Sequence, residues 1–176
     1  MRFIDEARVY VHAGKGGDGA VAFLREKYRP FGGPAGGDGG RGGDVILEVD
    51  EGLSTLLDFK YKPRLIARDG ESGRGKQQYG HDGSDLVVRV PPGTIAFDEE
   101  SGQPLADLVL PKARAIVAHG GGGGRGNMHF VSPTRRTPRI ATPGGKGEQL
   151  GVSEAQTMHA PEPDIELVHQ YYEATS

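Results

Sequence analysis

A chain of 176 residues is long enough for one ordinary domain with a core of its own, and the absence of cysteine excludes a disulfide scaffold and a thiolate metal site and suits a reducing compartment. Thirty glycines and twelve prolines approach a low-complexity composition, yet twelve of the glycines fall between Gly14 and Gly43, while 45–69 and 86–118 hold only Gly52, Gly93 and Gly102 and are rich in branched apolar residues, which excludes a uniformly disordered chain. The net charge of −3 hides two signs, because six acids and no Lys or Arg lie between Glu148 and Ser176, leaving residues 1–147 at +3.

In chain order, the start MRFIDEARVYVHAG carries Arg2, Asp5, Glu6 and Arg8 and has no apolar run near the ~18 residues of a membrane span or signal segment. A soluble, cytoplasmic protein without a membrane partner is expected. Short β-branched or alternating runs at 8–12, 20–24, 45–49, 86–90, 94–97 and 113–118, bounded by Gly, Pro or Asp, predict strands. Pro91-Pro92-Gly93-Thr94 and Asp98-Glu99-Glu100-Ser101-Gly102 are turn chemistry between them. Residues 53–59 fit either a short helical turn or a strand. In the tail, Ile165, Val168 and Tyr172 fall on one face of a short helix over 164–174 with acids near its start. About eleven residues are marginal as a helix alone, so docking on its own base, docking on another chain and disorder all stay open.

Glycine recurs every third residue at Gly33, Gly36, Gly39 and Gly42, with a second register at Gly37, Gly40 and Gly43. A period of three belongs to the polyproline II helix, which has no internal hydrogen bonds. An all-glycine face lets neighbouring backbones approach and bond to each other. The spacing returns at 14–17, 70–73, 80–83, 120–126 and 144–147, so several such segments are expected side by side. Collagen is excluded, because the third-residue glycine is not sustained and prolines are too few.

A P-loop is excluded too. It needs Gly-Lys followed by Ser or Thr, whereas Gly14-Lys15, Gly75-Lys76 and Gly145-Lys146 are followed by Gly, Gln and Gly. The six histidines (His12, His81, His119, His129, His159, His169) show no HxxxH or HExxH spacing, so structural roles are favoured over a metal site. Ser132 and Asp82 have no partner at the spacing of a catalytic set.

From Leu108 to Gly147 there is no Asp or Glu, against Lys112, Arg114, Arg125, Arg135, Arg136, Arg139 and Lys146. That run is either the footprint of a polyanion or a solvated surface whose acids come from other segments.

Gly16-Gly17-Asp18-Gly19-Ala20, Phe23-Leu24-Arg25-Glu26-Lys27-Tyr28, Gly32-Gly33-Pro34, the run from Gly36 to Asp44, Thr55-Leu56-Leu57-Asp58-Phe59, Val90-Pro91-Pro92-Gly93-Thr94, and Gly124-Arg125-Gly126-Asn127 followed by Arg136-Thr137-Pro138-Arg139 occur in this order. Together they resemble the amino-terminal glycine-rich domain of the Obg family of GTPases, over roughly residues 2–150. The resemblance implies a mainly β Obg fold, in which a small β-structured base carries a protruding bundle of glycine-rich left-handed polyproline II-type helices. It also implies a role in late assembly of the large ribosomal subunit, with the protrusion in the peptidyl-transferase region of the ribosomal RNA. RNA-binding candidates carried over on matching motifs are Arg25, Lys27, Arg74, Lys76, Arg135, Arg136 and Arg139. Tyr28, Phe31, Tyr79 and Phe130 lie nearby for stacking on bases, with internal packing the favoured alternative for Tyr28 and Phe130. For Arg25, a structural ion pair with a carboxylate such as Glu26 or Asp38 stands equal to an RNA contact.

In the family a P-loop GTPase domain follows the segment resembling Pro143 to Glu148, and here Gly151-Val152-Ser153 and the acidic tail follow instead. The expected organisation is therefore a glycine-rich domain over 1–151 and a tail over 152–176, with no cofactor and no catalysis in this chain. GTP and magnesium would belong to the GTPase domain. The expected partner is the large ribosomal subunit and its RNA, not DNA. The second reading is a scaffold that presents 160–174 to a protein partner.

Overall fold

The computed structural model describes residues 3–24, 32–56, 59 and 61–158. The fold is mainly β. In one sheet β1 (Phe3–His12) pairs antiparallel along its whole length with β8 (Gln149–Met158), from Phe3↔Met158 to His12↔Gln149, and parallel with the short β3 (Arg64–Ile66). The free edge of β8 takes β5 (Thr94–Asp98), which carries β6 (Pro104–Leu108), for the order β3-β1-β8-β5-β6. A second sheet has β2 (Val45–Val49) between β4 (Leu86–Val90), parallel, and β7 (Arg114–Ala118), antiparallel.

Period-two alternation explains how the sheets bury one face. Ala7, Val9 and Val11 of β1 are buried while Arg8 and Tyr10 are exposed. They share one apolar core with Leu47 and Val49 of β2, Val90, Leu108, Val117 and Val152. Leu56 and Phe59 also enter this core, and the Phe59 N–H donates to the Leu56 carbonyl at 3.1 Å.

Three strands escape the sequence pattern. β3 and β6 are short edge strands, and β8 contains Gly151, Glu154 and Gln156. β8 also runs across the 151/152 boundary expected from sequence, to Met158, because β1 and β5 offer it ladders on both sides. That context overrides weak strand propensity. Conversely, 20–24 is not a regular strand. It forms only a Phe23–Pro34 bridge, with the Leu24 N–H on the Gly33 carbonyl at 3.0 Å and the Ala35 N–H on the Ala22 carbonyl at 2.7 Å.

Between the strands, six glycine-rich segments leave and re-enter this base: 13–20, 36–44, 67–74, 78–85, 119–127 and 141–148. Their hydrogen bonds follow the three-residue period. Gly14, Gly17 and Ala20 donate to the carbonyls of Gly43, Gly40 and Gly37, while Ala13, Gly16 and Gly19 donate to those of Glu148, Gly145 and Thr142. Gly37, Gly40 and Gly43 donate in turn to Arg74, Glu71 and Arg68. At Gly126 the backbone lies at φ −70° and ψ 164°, within the polyproline II region. The packing leaves no room for a side chain on the shared faces: a Cβ on Gly39 or Gly42 would stand 1.9 Å from the carbonyl oxygen of Gly17 or Gly14.

Further N–H groups are taken by side chains. Asp18, Asp38 and Asp44 follow Gly-Gly pairs and accept from the N–H of Gly144 (2.8 Å), Gly126 (2.8 Å) and Gly120 (2.7 Å). Asp69, Asp82 and Asp85 accept from Lys15, Arg41 and Asp44, each at 2.8 Å. Acids that sequence reading counts only as charge are thus cross-braces between segments, and the Gly-Gly-Asp triplet is the signal that marks half of them.

Candidate nucleic-acid interface

Segments 13–20, 67–74 and 119–127 run from the base outward, and 36–44, 78–85 and 141–148 run back into β2, β4 and β8. The described ends of the first connection (21–24 and 32–35), the turn 75–77 and the loop 128–140 therefore lie at the far end of the bundle. Arg74, Lys76, Arg135, Arg136 and Arg139 fall in or beside them.

Arg74 precedes the tightest connection and Lys76 lies within it. The Arg74 N–H donates to the Gln78 carbonyl at 2.9 Å and the Gln78 N–H to the Gly75 carbonyl at 3.3 Å. Lys76 and Gln77 are held at φ 59° and 61°, the left-handed region that a side chain populates at a cost. The Gln77 N–H donates to the Ala35 carbonyl at 2.8 Å, which joins this turn to the chain leaving 21–35.

Arg135 closes a small turn with Ser132. Each donates its N–H to the other's carbonyl, at 3.0 and 2.9 Å, and Ser132 Oγ accepts from the Arg135 N–H at 3.0 Å. Arg136 and Arg139 follow on either side of the buried Pro138 and are exposed, as are Arg74, Lys76 and Arg135. Among the described residues, ion pairs involve Arg8, Arg41, Arg89, His119 and His129, and none of these five tip cations.

Among the described residues, Asp38 near the tip is already engaged. Asp38 accepts from Gly126 N–H and sits 2.9 Å from His129 Nε2, so it is the partner of His129. Arg25 and Lys27, with Tyr28 and Phe31, lie outside the described residues, as does the tail over 160–174. Tyr79 is exposed, and Phe130, in the 3₁₀ turn Asn127–Phe130, is half-buried.

Nearer the base the charge is balanced differently. Asp44 is buried and salt-bridged to Arg41. Burial pushes its carboxyl up, but hydrogen bonds from the Arg41 guanidinium and the Gly120 N–H outweigh it and hold the group below its ordinary value. No cluster of three metal-ligating side chains occurs among the described residues. The described part of the tip thus presents exposed cations on a stem of packed backbone. Chemically it can neutralise phosphates and fill a cavity by shape.

The GTP1/OBG family model matches residues 4–154. The chain is 58% identical over 151 residues to the GTPase Obg of Alkaliphilus metalliredigens, covering 86% of this chain and 35% of that protein. It is 57% identical over 150 residues to the GTPase Obg of Thermoanaerobacter sp., with shares of 85% and 36%. With the GTPase Obg of Aquifex aeolicus the identity is 56% over 148 residues, with shares of 84% and 43%. The chain spans about a third of the length of the first two relatives.

Proposed function

The chain belongs to the GTP1/OBG family, and on that premise we propose that its glycine bundle is the ribosomal-RNA-binding module of an Obg-type assembly factor of the large ribosomal subunit. The bundle inserts its basic tip into the peptidyl-transferase region and acts by shape and charge, without a catalytic step of its own. The observation that supports this reading most is the gathering of Arg74, Lys76, Arg135, Arg136 and Arg139 at one end of the stem, exposed and without a carboxylate partner among the described residues.

A stem made of backbone has few rotamers to freeze, so it pays little of the side-chain ordering cost that weakens association, which runs at about 0.5–1.5 kcal/mol per immobilised flexible side chain. Slender cross-section and tip charge suit a cavity walled by phosphates. The test is binding of the full chain to large ribosomal subunits across a salt series, with and without the double change Arg136→Ala and Arg139→Ala. The expected outcome is an unchanged fold, weaker binding, and a log affinity less steep in log salt by about 0.7 to 0.9 for each phosphate that is no longer neutralised. Equal affinity and slope for both proteins across the series removes these arginines from the interface.

A further inference from the structure

The ladder between segments 36–44 and 119–127 is regular up to its last rung. The Gly42 N–H donates to the Gly121 carbonyl at 2.9 Å, and the Gly39 N–H to the Gly124 carbonyl at 2.8 Å. The next rung in this register joins Gly36 to residue 127. There the chain turns into the 3₁₀ segment Asn127–Phe130, and the acceptor for the Gly36 N–H is the side-chain Oδ1 of Asn127, at 2.7 Å.

The other end of the same amide reaches two further strands of chain. Asn127 Nδ2 donates to the carbonyls of Ala22 at 3.0 Å and Pro138 at 3.1 Å, while its backbone N–H donates to Ala20 at 2.9 Å. The residue is wholly buried. Only an amide side chain supplies one acceptor and two donors in this arrangement. Turned over, it would set a donor against the Gly36 N–H and an acceptor against two carbonyls, so the network dictates its orientation.

We propose that Asn127 is a positioning residue for the tip: it fixes the loop that carries Arg135, Arg136 and Arg139 against Ala20, Ala22 and Gly36, so that these three arginines are presented in one geometry. Being buried, it acts through these loops and touches no RNA. The inference rests on the RNA-binding reading of the tip.

The probe is Asn127→Asp. It keeps the acceptor for Gly36 but turns the donating nitrogen into an oxygen facing two carbonyls. Two measurements decide. In amide exchange, residues 128–140 are expected to exchange at least about tenfold faster while 13–17, β1 and β8 keep their protection. In a double-mutant cycle with Arg136→Ala/Arg139→Ala on large ribosomal subunits, Asn127→Asp is expected to weaken binding about tenfold in the parent and less than about twofold once the arginines are gone.

Unchanged exchange in 128–140, or an equal loss of affinity in both backgrounds, overturns the proposal, because a merely structural role adds independently of the arginines. Should the aspartate variant unfold, Asn127→Ser, which retains a hydroxyl acceptor without the Nδ2 donors, goes through the same cycle. If removal of the arginines alone leaves binding intact, the RNA reading falls, and the exchange result still decides whether Asn127 holds the loop.

Discussion

The β-base and the glycine bundle belong to one chain and are held by opposite means. The base is a side-chain structure, in which Val9, Val11, Leu47, Val90 and Val152 are removed from water, worth about 1.5–3 kcal/mol for each large apolar group. Among the described residues the bundle has no large apolar core of its own. Its rungs are backbone N–H groups donating to backbone carbonyls, each a net contribution of about 1 kcal/mol, with aspartates filling the third direction. In the base a missing methyl leaves a hole; in the bundle an added methyl has nowhere to go.

The two regions also answer pH with opposite signs. Glu154 of β8 is wholly buried, and both its carboxyl oxygens lack a hydrogen-bond partner among the described residues. Burial pushes it from its ordinary 4.5 up to about 7. A folded value above the unfolded one means that the stability tied to this group is full below about 4.5 and is lost as pH climbs to about 7. Above that the cost is on the order of 3 kcal/mol. Asp44 in the bundle is shifted down, so its contribution is present above its ordinary value and is lost as pH falls through its folded one.

The sharpest way to break this contrast is to add carbon to the stem. Gly39→Val is expected to cost about 3 kcal/mol or more, through steric exclusion against the Gly17 carbonyl. Gly122→Ala, where a Cβ meets nothing within 4 Å, is expected to stay within about 0.5 kcal/mol. Thermal melting of both reads the difference, and equal curves for Gly39→Val and the parent mean that the period of three is not structural.

Next in size, Glu154→Met removes an unpartnered carboxyl from the base at similar volume. It is expected to stabilise by about 3 kcal/mol at pH 8 and by much less near pH 4.5, read from denaturant midpoints at each pH. A gain that does not vary with pH contradicts the ionisation argument.

The smallest effect is expected at the turn. Lys76→Gly relieves a left-handed side-chain residue and is expected to stabilise the fold by about 0.5–1 kcal/mol while weakening binding to large subunits. A lower melting temperature would show that the lysine side chain supports the turn.

The sequence made the bundle more legible than parts of the base. Glycines at a strict interval leave few alternatives, and the basic tip stood out because 108–147 lacks any acid. β8 was hidden, since Gln149, Gly151, Ser153, Glu154 and Gln156 carry little strand propensity and only its two neighbours make it a strand. A buried, unpartnered Glu154 contradicts the usual link between charge and exposure, so no pattern in the sequence announces it. Asn127 stands at the end of the Gly124-Arg125-Gly126-Asn127 motif, but its role follows from a ladder register between segments ninety-one positions apart, which spacing along one segment does not reveal.

The antiparallel pairing of β1 with β8 sets the order in which a growing chain becomes a structure. Phe3 meets Met158, and segment 13–20 bonds to 141–148, so β1, once synthesised, waits for the last described strand. At about 5–20 residues per second, that wait is roughly 7–30 s. Through it, β1 has an unpaired edge and the outbound glycine segment lacks one of its neighbours. The stem therefore locks only after translation has passed residue 158, and the tip gains its final support at that point rather than as each segment emerges.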